Sequence, residues 1–413
     1  MSLIRTSHYA LMISTLFVPA ATAAGAQFAT LSTVSGENPA GLVFFNGAFY
    51  GATTANELWG NCGTVFELQP PATPGGAWVQ TTLYSFSSSA DDPCSPVGPP
   101  TPGHSGALYG VSAGGGAYAG GVVYALYPPA AAGDPWTMSV LYNFPSPGTQ
   151  AFCVINGPNG SLYVGTYGPA ADNTGNGTLL QLSPPAASGG AWIPTVLYNF
   201  PPNNEEGDPS GMIMGPDGVF YGTIGYGGAT PGWPGAIFEL TPSAGGSYTE
   251  TILYNFKARE DGSTPNSLTL APNGQLYGTT FGTSLDDGYH TQYGIGTAFI
   301  LTPPASQGEF WTKTTLAQLS AGDLRGPDSP LIWRNGNLYG VSSSSAYPYG
   351  GVIYELQPPA GTGGNWTTTI LYGFNDLTPG GPLVMDQEGT IYGTAVGPQN
   401  EVPAGIVYRI EAP

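Results

Sequence analysis

The sequence predicts an all-β fold, a seven-bladed β-propeller whose four-stranded antiparallel blades close three strands plus one. Three observations predict it. A Leu-Tyr-Gly-like phrase occurs seven times, with its tyrosines 53 to 62 residues apart. Each of the first six copies is followed by two further β-rich phrases set between Gly/Pro turns. The phrase missing from the last unit stands at the beginning of the chain. Composition agrees: of 413 residues, 64 are Gly and 41 Pro, yet aromatics reach 12 % and charged residues only 8 %. Disordered chains have the opposite bias, poor in rings and rich in charge.

In five of the seven units the first hairpin is marked by a turn dipeptide, Asn46-Gly47, Asn159-Gly160, Asp217-Gly218, Asn273-Gly274 or Asn335-Gly336, residue types that tolerate the positive φ of a tight turn. The second strand carries the tyrosine phrase, from Phe49-Tyr50-Gly51 to Ile391-Tyr392-Gly393, with Leu162-Tyr163-Val164 as the departure. The third strand is the run typified by Val65-Phe66-Glu67-Leu68 and Ile237-Phe238-Glu239-Leu240. The fourth is a Leu-Tyr-x-Phe phrase, its tyrosine six residues after an aromatic, as in Trp78/Tyr84 and Trp192/Tyr198. The last unit stops at Val407-Tyr408-Arg409-Ile410, and Phe28 to Val34 matches the phrase it lacks. Pairing the two ends removes two exposed sheet edges at once. One propeller domain over 27–413 is therefore expected. Residues 1–26 read as a signal peptide: Arg5, an apolar stretch from Tyr9 to Pro19, then small residues at Ala21-Thr22-Ala23 and Ala24-Gly25-Ala26. A secreted or periplasmic protein without a membrane span follows as the expectation.

The Gly-x-Leu-Tyr-Gly, Gly-x-Val-Phe-x-Leu and Leu-Tyr-x-Phe phrases resemble those of the bacterial GloVer (Gloeobacter/Verrucomicrobia-type) tandem-repeat proteins, over nearly the whole mature chain. The resemblance implies repeat architecture. It implies no activity, since that family carries no established chemistry.

The balance of 7 Lys+Arg against 26 Asp+Glu, formally −19, argues against nucleic acid or an anionic bilayer as partner. In a propeller the loops joining strands two to three, and those leading from one blade into the next, open on one face. Most acids fall on that face, among them Glu57, Asp91, Asp92, Glu205, Glu206, Asp261, Asp286 and Asp287. So do the rings outside the repeat phrases: Trp59, Tyr118, Tyr167, Tyr226, Trp233, Phe281, Tyr289, Tyr293, Tyr347 and Tyr349. Rings stack on pyranose C–H surfaces and carboxylates accept from hydroxyls, so a carbohydrate or polysaccharide partner is expected, bound by a monomer. The plainer reading is that polar loops must place their charges somewhere and tyrosine is common here.

A cluster at the fifth blade raises an enzymatic alternative. Lys257 and Arg259 enter that blade, Arg325 leaves it, and its long loop holds Tyr289, His290 and Tyr293. Cations that neutralise a uronate beside a His or Tyr base would serve a polysaccharide lyase. The same cations could simply pair with Glu260, Asp261, Asp323 and Asp328. A two-carboxylate glycoside hydrolase competes, with too many acids to select a pair, and a structural envelope protein is the third class. No cofactor is expected. Calcium is chemically conceivable but has no Asp-x-Asp-x-Asp-Gly loop.

Other residues read as structural. Asp92, Asp208, Asp261 and Asp328 precede inner strands, where a short carboxylate caps a turn through a backbone N–H. Glu67, Glu239 and Glu355 recur in third strands and are expected to pair or pack. Cys62 and Cys94 are expected to form a disulfide, with Cys94 to Cys153 as the alternative.

Overall fold

The structure is a computed structural model. It describes residues 21–22 and 26–411 except 36–37, 55–61, 74, 90–91, 132, 147–148, 169–176, 188, 202–207, 230–232, 258–260, 283–284, 287–290, 293–295, 307–309, 320–324, 328, 345–349, 362–363, 376 and 398–403. The described residues form seven four-stranded antiparallel blades, six of them running outward in chain order from an inner strand. The first comprises Asn38–Phe45, Ala48–Thr54, Thr64–Gln69 and Val79–Ser85. The fourth comprises Asp208–Met214, Phe220–Tyr226, Ala236–Pro242 and Tyr248–Asn255. The fifth comprises Pro265–Leu270, Leu276–Thr280, Thr297–Thr302 and Thr312–Gln318.

The repeat phrases are explained by one contact within each blade. The residue after the phrase tyrosine faces the aromatic of the third strand, as in Gly51 opposite Phe66, Gly222 opposite Phe238 and Gly393 opposite Tyr408. A Cβ at Gly222 would stand 2.1 Å from Phe238 Cζ, so the ring lies on bare backbone. The third blade exchanges both partners together: Val164 replaces the glycine and faces Leu180. Packing density is kept while the volume is redistributed.

Blades are joined by the phenylalanine that ends the outer-strand phrase. Phe86 meets Tyr124 of the next blade at 5.2 Å between centroids, Phe200 meets Phe238 at 5.2 Å, Phe256 meets Phe299 at 5.4 Å and Phe374 meets Tyr408 at 5.0 Å. Such rings each contribute about 1.5–3 kcal/mol by burial. Nearer the axis, side chains of one inner strand donate to carbonyls of its neighbour. Thr101 Oγ1 reaches Val154 O at 2.9 Å, Asn156 Nδ2 reaches Pro102 O at 2.7 Å, and Asn266 Nδ2 reaches Pro327 O at 2.7 Å. Inner-strand groups that would lack a sheet partner are satisfied in this way.

The seventh blade consists of Thr378–Met385, Ile391–Val396 and Ala404–Glu411, with Gln27–Ser35 from the other end of the chain as its outer strand. Gln27 pairs with Glu411 and Ser35 with Ala404. Val34 stands where other blades have the joining phenylalanine, and it is buried with Leu42, Phe49, Phe66 and Leu68 of the first blade. At the axis Gly41 and Gly381 meet so closely that a Cβ on Gly381 would lie 2.8 Å from Gly41 Cα. Phe28 stacks on Tyr372 of the sixth blade at 4.4 Å. Ahead of this strand, Ala21–Thr22 lies parallel to Thr369 and Ile370.

The turn dipeptides adopt positive φ at Asn46 and Gly47 (49° and 84°) and at Asn335 and Gly336 (51° and 89°). Both are the hairpin geometry the sequence implied.

Candidate ligand-binding face

The connections expected to share a face touch one another. Cys62, entering the third strand of the first blade, forms a disulfide with Cys94, which begins the second blade. Ser95 N–H donates to Cys62 O at 2.9 Å. In the second blade, Gly116 N–H donates to Asp92 O. Between blades four and five, Thr264 N–H donates to Pro234 O at 2.8 Å and Thr264 O accepts from Phe281 N–H at 2.9 Å. Three connections thus meet around Thr264.

The loops of this face are tied down from below by the outer-strand phrase. Asn143 Oδ1 accepts from Ala117 N–H at 2.9 Å, and Asn255 Oδ1 accepts from Ala229 N–H at 3.0 Å. The asparagine of Leu-Tyr-Asn-Phe therefore anchors the loop of its own blade. Tyr118 follows the anchored Ala117 and is 57 % exposed. In the fourth blade Tyr226 is 65 % and Trp233 52 % exposed. Trp233 adopts φ of 49°, a left-handed conformation uncommon for a bulky residue. Two bonds hold it there: Gly227 N–H to Trp233 O at 3.2 Å and Gly235 N–H to Gly227 O at 2.9 Å. Phe281, 39 % exposed, stands beyond Thr264.

Other sequence-derived candidates have different surroundings. Tyr167 is half-buried, stacked on Phe152, with its hydroxyl donating to Gln150. Lys257 is exposed, and its backbone N–H donates to Asp261 Oδ1 at 2.7 Å. Asp286 and Arg325 are described by backbone only, in Leu285–Asp286 and Arg325–Pro327. Trp59, Arg259, Asp287, Tyr289, His290, Tyr293 and Tyr347 lie outside the described residues.

Several acids are occupied by the fold. Asp92 accepts from Ser87 N–H at 2.9 Å and from the Tyr84 hydroxyl at 3.1 Å. Asp261 repeats the pattern with Lys257 N–H and the Tyr254 hydroxyl. Glu67 accepts from Tyr50 and Glu355 from Tyr339, each across one strand pair, at 2.9 and 2.7 Å. Burial pushes the Glu239 carboxyl above its ordinary range, opposed by a hydrogen bond from Tyr221. Burial likewise pushes the Cys153 thiol up to about 12, leaving it a neutral thiol and a poor nucleophile. Among the described residues no group of three or more His, Cys, Asp or Glu is arranged to hold a metal ion, and no helix is long and apolar enough to cross a membrane.

Seven repeated four-stranded blades define a tandem-repeat β-propeller. The Gloeobacter/Verrucomicrobia repeat matches residues 38–289 and 208–413, and the chain belongs to that family. Among curated proteins, no sequence matches this chain. Solved structures similar to it include a fungal alcohol oxidase of the AA5 family in complex with copper, 13 % identical, with 94 % of this chain and 76 % of that one covered and a TM-score of 0.56. The Cps50 (Swd1) β-propeller domain of Myceliophteria thermophila is 9 % identical, covers 92 % and 99 %, and has a TM-score of 0.53. A Trichoderma reesei enzyme of carbohydrate-active family AA12 is 13 % identical, covers 96 % and 98 %, and has a TM-score of 0.45. At these identities the likeness shows the fold alone.

Proposed function

We propose that this is an exported, monomeric β-propeller, residues 27–413 after a 1–26 leader, that binds carbohydrate on its loop-rich face. The observation that carries the reading is Trp233, half-exposed and held at positive φ beside the more exposed Tyr226. Strain at an exposed ring persists only where the surroundings impose it, and immobilised rings favour stacking on a sugar face over collapse into the core. Tyr118, next to the Ala117 that Asn143 anchors, supplies a second ring two blades away. A neutral, hydroxyl-rich glycan suits a chain of formal charge −19 better than a polyanion. The Cys62–Cys94 disulfide suits export.

The test is depletion of the protein by a panel of insoluble polysaccharides, followed by assays for reducing ends and unsaturated products. Binding without turnover is expected, and Trp233→Ala should weaken it about tenfold or more, as loss of a stacked ring does. Binding by Trp233→Ala at full strength would remove this reading. Unsaturated product abolished by His290→Ala would replace it with the lyase.

A further inference from the structure

Lys313 lies on the outer strand of the fifth blade, and its side chain is only 3 % exposed. A buried ammonium requires bonds and countercharge. Its Nζ donates to Asp261 O at 2.9 Å and to Thr315 Oγ1 at 3.0 Å, with the Asp261 carboxylate 3.9 Å away. The rings of Tyr254, Phe256 and Phe299 surround it, centroids 5.5 to 5.8 Å from the nitrogen. Burial lowers its pKa, against the opposing pull of Asp261. The blade architecture does not ask for a cation here. Lys313 pairs with Leu301, and the matching residue of the second blade, paired with Leu126, is Met138. There the equivalent carbonyl, Asp92 O, accepts from Gly116 N–H of the face loop instead.

From Asp261 the contacts lead onto the face. Asp261 O also accepts from Thr297 Oγ1 at 3.4 Å, and Gly262 lies against Thr280 and Thr297. Two residues on, Thr264 has φ of 56° and makes the bonds to Pro234 and Phe281 that fasten the Trp233 loop. We propose that Lys313 is the positioning residue of the Trp233 face: its ammonium clamps Asp261 and thereby fixes Thr264, Pro234 and the exposed ring. The ligand-binding consequence rests on the carbohydrate reading above. The mechanical one does not.

The experiment is hydrogen exchange by mass spectrometry on the full chain without ligand, comparing wild type, Lys313→Met and Lys313→Arg. Methionine keeps the apolar volume, as Met138 does, and removes the charge-assisted bond. Exchange at the Gly235 and Thr264 amides should rise roughly tenfold or more, the equivalent of one such bond. The Gly121 and Phe144 amides of the second blade should be unmoved, and arginine should restore protection. Unchanged exchange in Lys313→Met overturns the proposal, as does an equal rise in both blades or failure of arginine to restore. If Lys313→Met does not fold, Lys313→Gln is read by the same amides. Trp233→Ala that still binds glycan would defeat the carbohydrate reading and leave this result standing.

Discussion

At the scale of single residues, the repeat is enforced by what a side chain would strike. Gly222→Ala places a methyl on the Phe238 ring and should cost about 1–3 kcal/mol in denaturant unfolding. The third blade offers the complementary test. Val164→Gly and Leu180→Phe should each destabilise alone, and the double variant should recover, giving a coupling energy of about 0.5–3 kcal/mol in a double-mutant cycle. The departure at Val164 was visible in the sequence, but its compensation by Leu180 needs the strand register to be seen. Glu239 yields a pH prediction with a definite sign. Its folded pKa is raised by burial, so its contribution to stability is full below the ordinary carboxylate range and falls as pH rises through the elevated folded value. Glu239→Gln should lack that fall, read as the difference in Tm from wild type between about pH 4 and about pH 8.

At the scale of elements, loops are legible where their partners are near in sequence and hidden where they are not. The capping roles of Asp92 and Asp261 could be anticipated, since Ser87 and Lys257 lie five and four residues away. The clamp on Asp261 could not, because Lys313 lies 52 residues further on. The one signal in the chain is a lysine at a register where another blade has methionine. Tyr118, Tyr226 and Trp233 were legible as rings outside the repeat phrases. That Asn143 and Asn255 anchor their loops was not, since asparagine sits inside a phrase that already has a packing explanation. The Cys62–Cys94 link closes a separation of 32 residues between two blades. Cys62→Ser with Cys94→Ser should lower stability by about 2–4 kcal/mol in thermal or denaturant unfolding, with the loss confined to the non-reduced comparison.

At the scale of the whole molecule, architecture was legible because seven copies repeat one local solution, and the displaced copy at the start of the chain showed where it belonged. Blade identity, by contrast, says nothing about which face loop does what. Deleting residues 27–35 leaves Ala404–Glu411 with an open edge and strips Val34 from the seam of the first and seventh blades. The truncated chain should unfold at lower denaturant, with a broader transition, and should self-associate in sedimentation through the bared edge. The head-to-tail pairing also sets an order of events during biosynthesis. Gln27 must wait for Glu411, so a strand made before the inner strands of all seven blades is the last of the blade strands to be hydrogen-bonded. Until then blades one to six can form, and residues 27–35, with Phe28, Leu31 and Val34 among them, trail unpartnered. Speed of the final docking, rather than strength of any blade, would govern how much newly made protein escapes aggregation.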